Sequence, residues 1–279
     1  MGVNLIVFAA FWALVASTFL RQDGWERLKG RGAGNWLLDG AGLLVQGVAV
    51  PLLETGVLYW ALGKFWPAGR GALALPGWAA FLLNFALVDY LYYWNHRFLH
   101  GRLWSWHAVH HTAERLDVLV ASRNTLLSPL LIVYVWVNAL CLYLLVEPAP
   151  FLLAAALTAA LDLWRHSEVW PKEPGPALGA LSKVLVTPLD HAWHHSSDRM
   201  ASNFGANFKL WDRWHGTLHE PGEYPESLGI ELSWSLGRKL LVPRMSFGVS
   251  QTDAADPSGI DGVFAINPGR SQEPAGRAR

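Results

Sequence analysis

Long apolar runs separated by short polar segments dominate the first 165 residues of the chain. There are four long runs and one shorter run, at residues 3–20, 41–62, 77–94, 126–146 and 151–163. About 20 apolar residues are enough for a helix to cross a bilayer. The pattern therefore predicts an all-α fold, an integral membrane helical bundle of about four transmembrane helices. The last two runs, joined at Glu147-Pro148, are expected to form a hairpin whose return arm is short or partly re-entrant.

Basic residues indicate which side of the membrane each loop faces. They are concentrated after the first run, after the third run and after the hairpin, whereas the other loops hold only Lys64 and Arg70. Loops rich in Lys and Arg usually remain in the cytoplasm. No Lys or Arg precedes the first run, which favours a membrane helix over a signal peptide. The abundance of Arg, Ala and Gly favours a bacterial source, so we expect the inner membrane as the location.

Composition narrows the class of protein further. Hydrophobic residues make up 52% of the 279 residues and charged residues 16%, which excludes a disordered chain or a coiled coil. Lys and Arg together number 22, as do Asp and Glu, so no net charge attracts a nucleic acid. Cys141 is the only cysteine, which excludes an internal disulfide and a Cys-rich zinc site.

The same patterns divide the chain into four parts. Residues 1–75 are predicted to form N-terminal transmembrane helices, 76–220 a catalytic domain with a cytosolic histidine-rich helical cap, and 221–247 a segment on the membrane surface. Residues 248–279 are rich in Gly, Ser, Pro, Asp and Ala and are predicted to be a disordered tail.

Most of the eleven histidines are clustered, and the clusters follow or flank the apolar runs. One H-x-x-x-H motif and two H-x-x-H-H motifs each place imidazoles on one face of a helix. Neutral imidazole is a common ligand of Fe, Zn, Cu and Ni. More nitrogens converge than one ion can bind, so we predict two metal ions. The predicted ligands are His96, His100, His107, His110, His111, His166, His191, His194 and His195.

Other polar residues are candidates for supporting roles. Asp162 precedes His166 by four residues and is a candidate ligand or hydrogen-bond acceptor, and His215 is a weaker candidate of the same kind. Four arginines are candidate contacts for a lipid head group or an acidic electron donor: Arg115, Arg123, Arg199 and Arg213. For these arginines an ordinary interfacial role is an equal alternative.

Three other classes of metal protein remain as alternatives at this stage. A zinc-dependent membrane hydrolase would use fewer histidines and a catalytic Glu, as in H-E-x-x-H, which the sequence lacks. A b-type haem protein would place single histidines on facing helices within the membrane. A metal transporter would place ligands at mid-membrane depth, where only Glu54 and Asp89 are suitable.

Beyond these patterns, the sequence resembles the fatty acid hydroxylase/sterol desaturase superfamily of membrane di-iron oxygenases, over roughly residues 76–220. Its Arg165-His166-Ser167-Glu168 motif is closest to the alkylglycerol monooxygenase-like and bacterial sterol desaturase-like branches. The other matching motifs are Asn95–His100, Leu103–His111, Thr187–His195, Asn203-Phe204-Gly205 and Trp211–Thr217.

The resemblance implies hydroxylation or desaturation of a membrane lipid by O2 at two iron ions bound by the nine histidines. Zinc is expected to replace iron in overexpressed protein. The sequence has no dinucleotide-binding glycine motif and no cysteine cluster, so electrons must come from a separate reductase or, as in the alkylglycerol branch, from a pterin. Two departures stand out: Arg123-Asn124-Thr125-Leu126 replaces the Arg-x-His-Pro of many relatives, and His215 stands where relatives often have Phe.

Overall fold

A computed structural model describes residues 2–21 and 23–241 of the chain. Helices and turns make up this part, without a strand beyond isolated bridges. The predicted tail at 248–279 and Phe247 lie outside the described residues.

Helices contain each of the five apolar runs, wholly or in part. The fourth helix consists of three consecutive pieces, Gly77–Leu82, Leu83–Val88 and Asp89–His100, and spans 77–100. The first seven helices are α1 (Gly2–Leu20), α2 (Gly24–Lys29), α3 (Ala33–Phe65), α4 (77–100), α5 (Trp104–His107), α6 (Val133–Leu144) and α7 (Ala149–Arg165). Four short helices follow: α8 (Pro176–Ser182), α9 (Pro188–His194), α10 (Lys209–His215) and α11 (Leu236–Leu240).

Helix α3 is the one helix in the described chain that is long and apolar enough to cross a membrane by length and composition. Only 6% of its most apolar stretch is buried inside the protein, which is unlike the core helix of a soluble domain. Pro51 lies between two π-helical turns, Val45–Ala49 and Leu53–Leu58. Because proline lacks an N–H and crowds the preceding turn, wider turns around it let the helix continue.

The fourth and fifth apolar runs differ from their predicted lengths. Residues 126–132 were expected to be helical, but Ser128–Leu131 form a 3-10 turn and α6 begins only at Val133. The Ser128 hydroxyl donates to the Thr125 carbonyl at 2.9 Å, and Pro129 follows, so local hydrogen bonds replace a helical start. The return arm α7 has 17 residues and is longer than the predicted 151–163.

The connecting loops form two groups, one at each end of the helices. At one end, the Leu73 N–H donates to the Leu144 carbonyl at 2.8 Å and ties the α3–α4 loop to the α6–α7 turn. At the other end, Glu168 after α7 accepts from Arg21 and Arg27 at 3.0 and 2.8 Å. The histidine-bearing segments share this second end.

Close packing joins α3 to the histidine-bearing segments. Gly42 lies so near the turn Val120–Ser122 that a Cβ at this position would overlap the Ser122 carbonyl. Gly40, two residues earlier and on the opposite face of the same helix, has no heavy atom within 4 Å of such a Cβ. Only a glycine at position 42 therefore allows the two backbones to touch.

This contrast gives a matched pair of variants. Gly42→Ala must push α3 away from residues 120–122, so we expect a lower thermal midpoint of unfolding in detergent. Gly40→Ala should leave the midpoint unchanged or raise it, since alanine favours a helix by about 1 kcal/mol over glycine. Equal midpoints for the two variants, measured by tryptophan fluorescence, would contradict the close contact.

Candidate metal centre

All nine predicted histidines are buried, and they meet in two groups. In each group the ring nitrogens that face one another all lie within 4.8 Å. The five-histidine group consists of His96, His100, His107, His111 and His194. The four-histidine group consists of His110, His166, His191 and His195.

The two groups adjoin each other. The rings of His111 and His195 stack with centroids 4.5 Å apart, and those of His107 and His110 stack at 5.0 Å. His110 belongs to one group and its neighbour His111 to the other, because the two side chains leave the same 3-10 turn in different directions. Neighbouring residues thus supply both groups.

Helix ends position most of these side chains. His96 and His100 are one turn apart at the C-terminal end of α4, which stops at Gly101. His191 and His194 project from α9, whose first turn is fixed by a capping box between Thr187 and Asp190. Pro188 occupies the first turn of this helix, where its missing N–H costs no hydrogen bond.

Backbone carbonyls fix the orientation of four of the rings. In each case Nδ1 donates to a carbonyl oxygen, and a neutral imidazole then has a bare lone pair on Nε2. The four bonds run from His96 to Phe204 (2.9 Å), from His110 to Arg123 (3.1 Å), from His166 to Asp162 (2.8 Å) and from His194 to Ser202 (2.7 Å).

The remaining nitrogens suit metal ions. Nε2 of His110 and Nε2 of His166 lie only 3.2 Å apart, although both rings already donate from Nδ1. Two neutral rings in this state face each other with lone pairs and cannot form a hydrogen bond, so a cation that accepts both lone pairs would remove the repulsion. Two nitrogens bound at right angles about one ion, each about 2.1 Å away, are about 3.0 Å apart.

Other pairs have similar spacings. Nε2 of His166 and His191 are 2.9 Å apart, and Nε2 of His96 and His107 are 3.1 Å apart. Within the described residues, buried Nε2 atoms of His100 and His194 have no hydrogen-bond partner. The nine histidines therefore fit two ions of a metal that prefers nitrogen ligands.

Burial keeps these rings neutral. Outside α4, it lowers the pKa of six of them well below the ordinary value near 6.5, and neighbouring imidazoles add to the effect. These six are His107, His110, His111, His191, His194 and His195. Metal binding needs the neutral form, so the environment favours it at neutral pH.

One carboxylate organises the loop beside the five-histidine group. Asp212 accepts from the N–H groups of Phe204 and Gly205, both at 2.7 Å. This places the Phe204 carbonyl where His96 donates to it. A Cβ at Gly205 would lie 2.9 Å from an Asp212 oxygen and 2.6 Å from the Phe208 carbonyl oxygen, so the turn needs a glycine. Asn203 takes the left-handed conformation at φ 53°, which asparagine tolerates well.

A second carboxylate has the same role beside the four-histidine group. Asp39 of α3, 1% exposed, accepts from Nε and Nη2 of Arg123 at 2.6 and 3.0 Å, and it also pairs with Arg31. The carbonyl of Arg123 accepts from His110. Arg123 is 4% exposed and holds its own backbone in place through this pair. Arg123, a candidate contact for a lipid head group or an electron donor, is thus buried and paired with Asp39 inside the protein.

The other candidate residues lie outside the two groups. Asp162 pairs with Arg165 at 2.8 Å, and its backbone carbonyl is the acceptor for His166. His215 stacks on Tyr93 with centroids 5.0 Å apart, and its Nε2 is 3.2 Å from the Tyr90 hydroxyl. Arg115, Arg199 and Arg213 are exposed.

Sequence reasoning missed Asp39 and Asp212. Asp212 lies in the Trp211–Thr217 motif, but nothing in the sequence of that motif indicates what this carboxylate binds. Asp39 carries no such signal, because its partner Arg123 is far along the chain.

Comparison with known proteins agrees with the geometry. Residues 81–217 match the sequence profile of the fatty acid hydroxylase family. This segment is a fatty acid hydroxylase domain. The domain lies within the predicted catalytic region 76–220 and includes all nine histidines, and the resemblance recognised from the motifs is confirmed.

Three relatives of this chain add to the comparison. An ornithine lipid hydroxylase of Rhizobium tropici is 32% identical over 57% of this chain and 47% of its own length. An alkylglycerol monooxygenase of Danio rerio is 33% identical over 50% of this chain and 30% of its own length. A very-long-chain aldehyde decarbonylase of Arabidopsis thaliana is 25% identical over 61% of this chain and 28% of its own length. The chain thus spans less than half of each relative, and no solved structure matched it.

The two carboxylates give a paired prediction. Asp212→Asn should weaken metal binding mainly in the five-histidine group, and Asp39→Asn mainly in the four-histidine group. Loss of such outer hydrogen bonds typically weakens metal binding about 10–100-fold. During titration with a chelator, each variant should release one of two bound ions early. If both variants release both ions together while circular dichroism shows intact helices, the separate roles are wrong.

Acid should destabilise the metal-free protein. The folded-state pKa of the buried histidines is lowered, so the unfolded chain binds more protons below about pH 6.5. Stability is therefore fully present above that pH and is lost as the pH falls toward the folded-state values. We expect the thermal midpoint of chelator-treated protein to drop steadily from pH 6.5 to 5, and that of metal-loaded protein to be higher at each pH but to drop at least as steeply, because protons compete with the metal for the imidazoles. A constant midpoint for the metal-free protein would contradict this.

Proposed function

We propose that this chain is a membrane di-iron enzyme that uses O2 to hydroxylate or desaturate an unactivated C–H bond of a membrane lipid. The observation that carries the proposal is the pair of adjoining histidine groups within a fatty acid hydroxylase domain. The known activities of the relatives, on an ornithine lipid and an alkylglycerol, support a lipid substrate.

The proposed membrane arrangement has about four membrane helices: α1, α3 and α4 cross the bilayer, and α6 enters it and returns to the same side through α7. Large apolar side chains such as Phe8, Leu52 and Trp78 are more than 60% exposed on these helices, as expected for surfaces that contact lipid. The end that carries the histidines and most basic loops faces the cytoplasm, as a histidine-rich cap at the bacterial inner membrane. Because the apolar run of α4 ends at Trp94, the site lies just beyond the hydrocarbon layer.

Iron ions, when bound, supply the activation of O2. The nine histidines would hold them, and the carbonyl bonds to His96, His110, His166 and His194 keep the ligand nitrogens aimed inward. Burial excludes water from the groups. For hydroxylation the balance is R–H + O2 + 2e⁻ + 2H⁺ → R–OH + H2O, and a desaturation consumes the same reagents and forms a double bond and two waters. A separate reductase, or a pterin, supplies the electrons.

The donor set argues against the alternative classes. Both groups found in the described residues consist of histidines alone, whereas a zinc hydrolase needs a carboxylate as general base. A transporter would place its ligands along a path through the membrane, but these histidines lie together at one end of the helices.

The test uses the full chain in lipid nanodiscs, loaded anaerobically with ferrous iron and supplied with a reduced electron donor. We expect a lipid product that gains 16 Da with ordinary O2 and 18 Da with ¹⁸O2, or loses 2 Da in a desaturation. Zinc-loaded protein should be inactive. A product that forms with zinc and without O2 would establish the hydrolase, and metal transfer across a liposome without a product would establish the transporter.

Single histidine variants complete this test. His110→Ala removes a predicted ligand from the four-histidine group, and His194→Ala removes one from the five-histidine group. Each should lower the bound metal from two ions toward one and abolish turnover, while the apolar helices remain folded. Retention of two ions in both variants would refute the ligand assignment.

A further inference from the structure

A polar cavity of about 800 Å3 lies on the outer side of the four-histidine group. Its wall includes Thr112, directly after His111, and Ser167, directly after His166. Arg123, whose carbonyl binds His110, also lines it. A molecule in the cavity would therefore contact residues that directly follow a histidine of each group.

The cavity also reaches the level at which the apolar part of α1 ends. Ser17, Thr18 and Arg21 form part of its wall. Beside them Phe19 and Trp25 pack edge to face with centroids 5.0 Å apart, and both are exposed. Exposed aromatic side chains next to an arginine are typical of the head-group layer of a membrane.

The charges that line the cavity are balanced. Six basic and six acidic side chains contribute to it. Half of them are paired with one another, for example Glu168 with Arg21 and Arg27, and Arg31 with Asp117. Two more, Arg123 and Glu26, pair with residues outside the lining. These internal pairs make the wall rigid and leave little charge for a ligand.

Four lining side chains differ from this pattern. Glu114, Arg115, Glu231 and Lys239 form no ion pair within residues 2–21 and 23–241. Two are anions and two are cations. A ligand of a single charge sign would satisfy only one of these pairs and would meet the other unfavourably.

We propose that this cavity binds a zwitterionic lipid head group, one that carries an ammonium group together with a carboxylate or phosphate. Glu114 and Glu231 would pair with the ammonium group, and Arg115 and Lys239 with the acidic group. The acyl chains would then extend along the exposed apolar face near α1. The inference rests on the proposed function, since it names the class of lipid that the site accepts.

The experiment measures lipid binding without turnover. Metal-loaded full-length protein in a non-ionic detergent is offered an equimolar mixture of phosphatidylethanolamine, phosphatidylglycerol and diacylglycerol with identical acyl chains. Native mass spectrometry then counts the lipids retained. We expect at least tenfold preference for the zwitterionic phosphatidylethanolamine. Equal retention of the three lipids, or a preference for phosphatidylglycerol, would overturn the proposal.

Paired charge variants sharpen the test. Glu114→Gln with Glu231→Gln leaves an excess of cations, so the preference should shift toward anionic phosphatidylglycerol. Arg115→Gln with Lys239→Gln should lower the retention of both phospholipids about tenfold. The matched controls are Glu173→Gln with Glu223→Gln and Lys172→Gln with Lys183→Gln, which remove the same charges from exposed sites outside the cavity. If the controls change retention as much as the cavity variants, general surface charge explains the binding and the proposal is wrong.

A soluble zwitterion separates a lipid from a free metabolite. Phosphoethanolamine at the lipid concentration should displace little of the bound phosphatidylethanolamine, because it lacks the chains. Full displacement would mean that the cavity serves a soluble ligand, which overturns the lipid assignment. None of these measurements requires O2 or an electron donor, so a failure of the oxygenase proposal cannot be mistaken for a failure of this one.

Discussion

The hydrogen bond from a histidine Nδ1 to a backbone carbonyl is the constraint on which the metal centre depends. It occurs at His96, His110, His166 and His194, and in each case it leaves Nε2 as the bare nitrogen. A carbonyl can fix a ring only if its own peptide is fixed. The ion pairs and caps around the site can be understood as the means of holding these peptides still.

This dependence links parts of the chain that are far apart in sequence. Asp39 lies in α3, outside the fatty acid hydroxylase domain, yet it holds the Arg123 backbone that orients His110. The touching backbones at Gly42 and Ser122 place α3 close enough for that pair to form. The N-terminal helices therefore contribute to the centre as well as to the exposed apolar surface.

Features that follow from a repeating pattern of residues could be predicted from the sequence. Features that depend on the three-dimensional arrangement could not. Apolar runs predicted the helices because a buried or lipid-facing segment must satisfy its own backbone hydrogen bonds. The prediction failed at residues 126–132, where Pro129 and the side chains around it favour a turn over a helix. Histidine spacing predicted the residues that meet, since residues four apart share a helical face. It could not predict how the histidines divide into groups of five and four. Nor could it predict which backbone carbonyls accept from the histidine rings, because every residue has a carbonyl and only the tertiary structure decides which one is near.

The division of the histidines has a consequence for the order in which the centre can be assembled. All but one member of the five-histidine group lie between residues 96 and 111, whereas the four-histidine group joins His110 to residues 166–195. Closing a short loop costs less conformational entropy than closing a long one. During synthesis, four ligands of the first group leave the ribosome before any of α7 or α9 exists. If the histidines bind two ions as proposed, the first ion can find a nearly complete set of ligands early, and the second must wait until the hairpin has folded back. The number of ions bound would then show how far folding has advanced.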